Sequence, residues 1–393
     1  MQKNQYLKGF LADKLPKILF GVGVVFLLLS LIGLVKDKHH FYFSYLTSYM
    51  FYLGITLGAM FLILVQYLAR GGWGVAVRRI PECLMKNVPL MIVLFIPILF
   101  GLEQLYHWMD LAHVAHDHLL QLKQPYLNKT FFIIRTVFYF AVWYAISRYF
   151  FKKSTDQDHI GGIENTANMQ KYSAPSMVLF GLTFTFASFD WLMTLEPHWF
   201  STMFGVYTFA NSIVSTLCCV TLLYLILRRH GFLKEVVTVE HYHDLGKLTY
   251  GFVVFWAYIA FSQFFLIWYA NIPEETVWFL ARSVESWKTL MIVTAIGHFI
   301  IPLFFFMSRH VKRNLTLNAL MVSMILVTCY LDLYTVVMPT VSPEGVHFGW
   351  TDITTLIGIG AIYFAFFFTR LKEHFLIPIK DPRLTESLNL DNH

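Results

Sequence analysis

The chain has 393 residues, of which 57% are hydrophobic, 18% aromatic and only 14% charged, where an ordinary soluble domain carries about 25% charged residues. With a mean hydropathy of +0.56, 22 Gly and 4 Cys, a water-soluble globule, a disordered chain, a collagen-like fibre and a disulfide scaffold are all excluded. The formal net charge of +6 therefore belongs to a membrane protein, where it reports orientation and not nucleic-acid binding.

A hydrocarbon core about 30 Å thick takes about 20 apolar residues per helix, and ten such runs occur. The first, about 16–35, follows a polar, lysine-bearing start. It is too long for a signal-peptide core and ends in VKDKHH without a small-residue cleavage site, so it is expected to remain as a helix. The others fall at about 44–68, 88–107, 131–151, 175–194, 203–227, 248–270, 288–308, 316–338 and 351–370. Runs such as 86–102 (KNVPLMIVLFIPILFGL) are apolar on every face, which excludes alternating β-barrel strands. Of the 30 Lys and Arg, 23 fall on the side of the termini and six on the other, with Arg135 inside a helix. This predicts a multi-pass protein with both termini in the cytoplasm.

Segments 2–5 are weakly repeated as segments 6–9. Ser48-Tyr-Met-Phe51 matches Ser201-Thr-Met-Phe204, Lys129-Thr130 matches Lys288-Thr289, and Asp190 and Asp332 occupy the fourth segment of each set. A four-segment unit keeps its orientation, so the expected fold is all-α, with two parallel four-helix bundles and two flanking helices. The implied division is 1–43 for the N-terminus and first helix, 44–194 and 195–338 for the bundles, and 339–393 for the tenth helix and C-terminal tail. The stretches 152–172 and 228–247 read as connectors, 72–85 as a short interfacial connector, and 108–130 and 271–287 as longer loops with amphipathic patches.

No haem-attachment motif or cysteine run for an iron–sulfur cluster is present, and the four cysteines read as small apolar residues. The loop with His107, Asp110, His113, His116, Asp117 and His118 lacks a closed four-ligand motif, so no metal is expected. Ionisable and polar residues inside the segments carry more weight, because a charge at a helix centre costs about 2.5–3.5 kcal/mol on insertion scales. Glu103, Arg135, Asp190, Gln263, His298 and Asp332 qualify. Glu103, Asp190, Gln263 and Asp332 are expected at one depth, with Arg135 within reach of Glu103 or Asp190. Such a layer either passes protons or accepts one from a quinol hydroxyl, or is a structural set of ion pairs and caps.

The stretch Phe189-Asp190-Trp191-Leu192-Met193-Thr194-Leu195-Glu196-Pro197-His198-Trp199-Phe200-Ser201-Thr202-Met203-Phe204-Gly205-Val206-Tyr207 resembles the signature of the large membrane subunits of bacterial alternative complex III, a quinol:cytochrome c oxidoreductase. Tyr242-His243-Asp244-Leu245-Gly246-Lys247, Phe255-Trp256-Ala257-Tyr258-Ile259-Ala260-Phe261-Ser262-Gln263 and Ile267 to Thr276 are similar to the same family, most of all to its F subunits, termed quinone-binding subunit 2. That resemblance implies a polysulfide-reductase-type membrane subunit in the bacterial inner membrane. The complex would oxidise menaquinol or ubiquinol and pass electrons to cytochrome c or a terminal oxidase. It further implies that no cofactor is covalently bound to this chain, that it is not catalytic alone, and that haem and iron–sulfur clusters lie on partners. Those partners are a sister quinol-binding subunit, an iron–sulfur protein and multihaem cytochrome c subunits, in a lipid surrounding and without nucleic acid. Asp190, His198, Tyr258 and Gln263 are its matching motif residues. The expected role is scaffold and proton half-channel; direct quinol binding and secondary transport are the alternatives.

Overall fold

An apolar run in a bilayer has one local solution, because each backbone N–H and C=O must find its partner within the segment. The structure, a computed structural model, describes residues 6–392 apart from the side chain of His113. Among the described residues ten helices long and apolar enough to cross a membrane follow in order: α1 (Leu15–Lys36), α2 (Lys38–Leu68), α3 (Arg79–Phe100), α4 (Lys129–Ile160), α5 (Glu164–Leu195), α6 (Phe204–Arg229), α7 (Val239–Ala270), α8 (Glu285–Met307), α9 (Leu315–Thr340) and α10 (Trp350–Leu371). No strand occurs among the described residues. The chain is an all-α, multi-pass membrane protein.

Helices α2, α3, α4 and α5 pack in a ring, as do α6, α7, α8 and α9. The rings meet chiefly along α2 and α6, where a Cβ on Gly58 would lie 2.1 Å from Thr216 Oγ1 and 2.8 Å from the Ser212 carbonyl oxygen. Only a glycine permits that approach. Outside both rings, α1 packs on α10 and α10 on α2. The α2–α10 seam is polar: Ser44 Oγ donates to Asp352 Oδ1 at 2.5 Å, Ser48 and Thr355 hydroxyls are 3.0 Å apart, and Thr56 Oγ1 donates to Tyr363 at 3.0 Å.

Several expected connectors are helical. α4 runs to Ile160 and α5 starts at Glu164, joined through Gly161 and Gly162 at φ 74° and 82°, a left-handed turn open to glycine at no steric cost. α7 starts at Val239 behind a Thr238–His241 capping box. The expected connector at 72–85 is corrected most. Residues Arg79–Met85 open α3 and are buried, because their charges are answered from distant parts of the chain. Arg78 contacts Glu82 Oε1 at 3.1 Å and Asp381 Oδ2 at 2.5 Å; Arg79 contacts Glu82 Oε2 at 2.7 Å and also Asp158.

Asp381 belongs to a C-terminal tail that crosses the face where the first and last described residues, Tyr6 and Asn392, lie, here termed the terminal face. The backbone N–H of Ile379 donates to Asp158 at 3.1 Å, Ser387 binds Trp73, Ala76 and His241, and Asn392 Nδ2 donates to Asp244 at 3.2 Å. The tail thus touches both rings. Burial, with Arg79, Arg370 and His159 nearby, pulls the His374 imidazole down to about 4. A released tail would titrate near the ordinary value of about 6.5. Its attachment is therefore complete above pH 6.5 and loses this contribution as pH falls towards 4, where the loss saturates. Limited proteolysis at residues 372–392 between pH 7 and pH 4 should show increasing release, and His374→Gln should flatten that curve. Superimposable curves would remove the histidine as the cause.

Candidate functional site

The expected polar layer separates into two centres and one outlier. Glu103 is the outlier. Pro97 and Gly101 end α3 at Phe100, so Glu103 sits in the short helix Leu102–Leu105 beyond it, with its side chain 76% exposed and 4.0 Å from Lys129. It joins no buried layer. On the same face, distal to the termini, His198 is likewise largely exposed and 2.5 Å from Asp117 Oδ2. Among the described residues no group of three or more metal-binding side chains assembles.

The first centre lies between α4 and α5. Arg135 Nε and Nη2 donate to Asp190 Oδ2 and Oδ1 at 2.7 and 3.0 Å, a bidentate pair, and Nη1 donates to the Tyr126 carbonyl at 2.9 Å. Tyr139 adds a hydroxyl to Asp190 Oδ2 at 2.7 Å, while the Tyr126 and Phe131 rings lie 3.9 and 4.5 Å from the guanidinium carbon. With Asp190 fully buried, the two charges compensate each other. This centre ties α4 to α5 by a compensated pair.

The second centre occupies the matching place in the other ring and is built differently. Asp332 on α9 accepts from the Tyr207 hydroxyl on α6 and from Trp256 Nε1 on α7 at 3.2 Å. No cation pairs with it among the described residues. Arg282, at the end of the short helix Pro273–Ala281, is committed to the carbonyls of Thr335 and Val336 and to Glu196 at 2.9 Å. Against the other face of Trp256 stacks His298, ring centroids 4.0 Å apart. His298 stands in a π-helical stretch of α8, Ile296–Ile300, a distortion frequent at functional sites. Its Nδ1 is buried without a partner, and its Nε2 is 4.0 Å from Cys329 Sγ.

Asp332 has space on one side and a relay on the other. Between the two rings lies a cavity of about 30 Å³, lined by Asp332, Tyr207, Asn211, Ser215 and the Trp143 and Trp191 rings. The buried Asn211 Oδ1 there lacks a partner, and the volume suits about one water. On the opposite side a cleft of about 520 Å³ opens between α7, α8 and the short helix Pro273–Ala281, lined by Tyr207, Trp256, Tyr258, Gln263, Thr294 and Phe299. Tyr207 faces both spaces. Tyr258 is 64% exposed at the mouth, Gln263 Oε1 is 3.1 Å from the Ser201 hydroxyl, and the Thr294 hydroxyl, 3% exposed, has no partner. The Trp199–Trp278 stack at 5.0 Å and Arg282, 3.7 Å over Trp278, hold the short helix as the cleft's distal wall.

Of the sequence candidates, the structure unites Arg135 with Asp190, links His298 to Asp332 through Trp256, and places Tyr258 and Gln263 in the cleft. Tyr207 and Trp256 lie within the signature-like stretches but carry no charge to mark them, and nothing in the sequence marks Thr294. The sequence matches no protein-family model and no curated protein.

The two centres predict opposite mutational behaviour. Arg135→Leu strands a buried carboxylate and should cost about 3–5 kcal/mol, whereas Arg135→Leu with Asp190→Asn should recover much of that loss. Thermal unfolding of the purified protein in detergent measures both; equal losses in the single and double variants would remove the ion pair as the cause.

Proposed function

We propose that the chain is an integral membrane subunit of a quinol-oxidising respiratory complex, and that its lateral cleft receives the quinol ring. The cleft on the α7–α8 side carries this reading: it lies within the membrane-spanning region, is walled by aromatics, and ends on Tyr207 and Trp256, the two neutral donors that hold the Asp332 carboxylate behind them. The signature-like stretches 189–207 and 255–263 support the respiratory assignment. A volume of about 520 Å³ falls in the range of small-molecule sites, which are mostly apolar with a few placed polar groups. Thr294 and Gln263 supply those groups here.

Quinol oxidation releases two protons and two electrons. In this reading Tyr207 passes its own hydroxyl proton to Asp332 as it takes the first proton from the ring hydroxyl; Asp332 hands that proton on to the interbundle cavity, and the second quinol proton leaves to water through the open mouth of the cleft. No ion pair has to break for Asp332 to change protonation, unlike Asp190. The electrons leave to haem or iron–sulfur centres on partner subunits, and the chain supplies position and proton handling. With a positive-inside orientation the cleft lies nearer the outer face of a bacterial inner membrane.

A second reading, scaffold with a proton half-channel and no quinol of its own, is favoured by one observation, the interbundle cavity that brings Asn211 and Ser215 beside Asp332. Asp332→Asn separates the two. In the assembled complex the cleft reading predicts that quinol turnover falls by about a hundredfold or more, while Thr294→Val and Gln263→Leu raise KM more than they lower kcat. Full quinol turnover with impaired proton release would support the half-channel. Unchanged turnover and proton release in all three variants would sink both.

A further inference from the structure

Three cations converge where α3, α4 and α10 reach the terminal face. Arg370, in the last turn of α10, donates Nη1 to the Lys86 carbonyl at 2.7 Å and to Asn87 Oδ1 at 3.4 Å. The Lys86 ammonium lies 5.8 Å from the Tyr144 ring and 5.7 Å from the Phe151 ring. Arg148 donates to the Tyr144 hydroxyl at 3.2 Å, and both arginines act on Lys86 electrostatically. Each buried arginine pair described above has its carboxylate: Arg78 with Asp381, Arg79 with Asp158, Arg135 with Asp190, Arg282 with Glu196. Among the described residues Lys86, Arg148 and Arg370 form no ion pair; the carboxylate of Glu373, whose field reaches Arg370, is on an exposed residue and makes no salt bridge to it, the two residues being joined only through the backbone. Like charges held this close raise one another's energy unless an anion sits among them.

Their depth says which anion. At about 1.5 Å per residue, Arg148 stands about 28 Å along α4 from Lys129, and Arg370 about 30 Å along α10 from Trp350. That is one hydrocarbon thickness from the distal boundary, so the cluster lies at headgroup level. Towards the membrane centre the same helices expose Ile92, Val93 and Ile96 on α3 and Val137 and Phe138 on α4. Basic pockets between spanning helices with apolar flanks suit acidic lipid headgroups.

We propose that Lys86, Arg148 and Arg370 form a headgroup site for an anionic phospholipid, its phosphate among the three cations beside Tyr144 and its acyl chains along the exposed faces of α3 and α4. This site is separate from the lateral cleft and stands whether or not the cleft takes a quinol.

Native mass spectrometry of the purified full-length protein, with phosphatidylglycerol or phosphatidylcholine added, tests it. The wild type should retain one phosphatidylglycerol in preference to phosphatidylcholine. Lys86→Gln and Arg148→Gln should each weaken retention about fivefold, the equivalent of about 1 kcal/mol per charge, while Lys234→Gln, an exposed cation elsewhere on the terminal face, should leave it unchanged. Arg148 is itself exposed, so its variant reports on binding even if Lys86→Gln folds poorly. Equal retention of the two lipids, wild-type affinity in Arg148→Gln, or full displacement by an equal concentration of inorganic phosphate would overturn the assignment.

Discussion

Burying a carboxylate in hydrocarbon is the constraint on which the rest of this architecture turns, because an unanswered charge there costs more than most single contacts supply. The chain answers it in three ways. Asp190 receives a cation in bidentate geometry, Asp332 receives only neutral donors, and Glu82, Asp158 and Asp381 are gathered around two arginines at the terminal face. The first and last arrangements are closed and rigid. The middle one is open, and the cleft and the cavity both lie beside it.

The two rings therefore share a plan and differ in use. In the first, Tyr139 and Arg135 reach Asp190 from α4. In the second, α8 presents His298 and Thr294, neither of which reaches the carboxylate, so the α7–α8 side stays loosely filled. Where the first ring has an inter-helix ion pair, the second has a space bordered by polar atoms without partners.

Hydropathy locates all ten spans, since length and apolar content are properties of contiguous residues. The Arg135–Asp190 partnership was also within reach of the sequence, because both residues are charged and belong to adjacent segments near one boundary. Glu103 was misplaced because a hydropathy window cannot distinguish the last turn inside the membrane from the first turn beyond it; Pro97 and Gly101 decide that locally. The Arg78–Arg79 network could not be read, as its acids arrive from positions 158 and 381 and no pattern links them. The cleft was hidden for a similar reason. Its walls come from α6, α7 and α8, and Thr294 is an ordinary residue until its hydroxyl is seen to be buried and unbonded.

The tail that crosses the terminal face has a bearing on biogenesis. Residues 374–392 leave the ribosome only after the tenth span, so every helix can be in the bilayer before the strap between the two rings exists. Insertion and final closure are thereby separate events. A nascent chain halted at residue 373 would have its ten spans and an unsealed face, on which Arg78 keeps Glu82 but lacks Asp381.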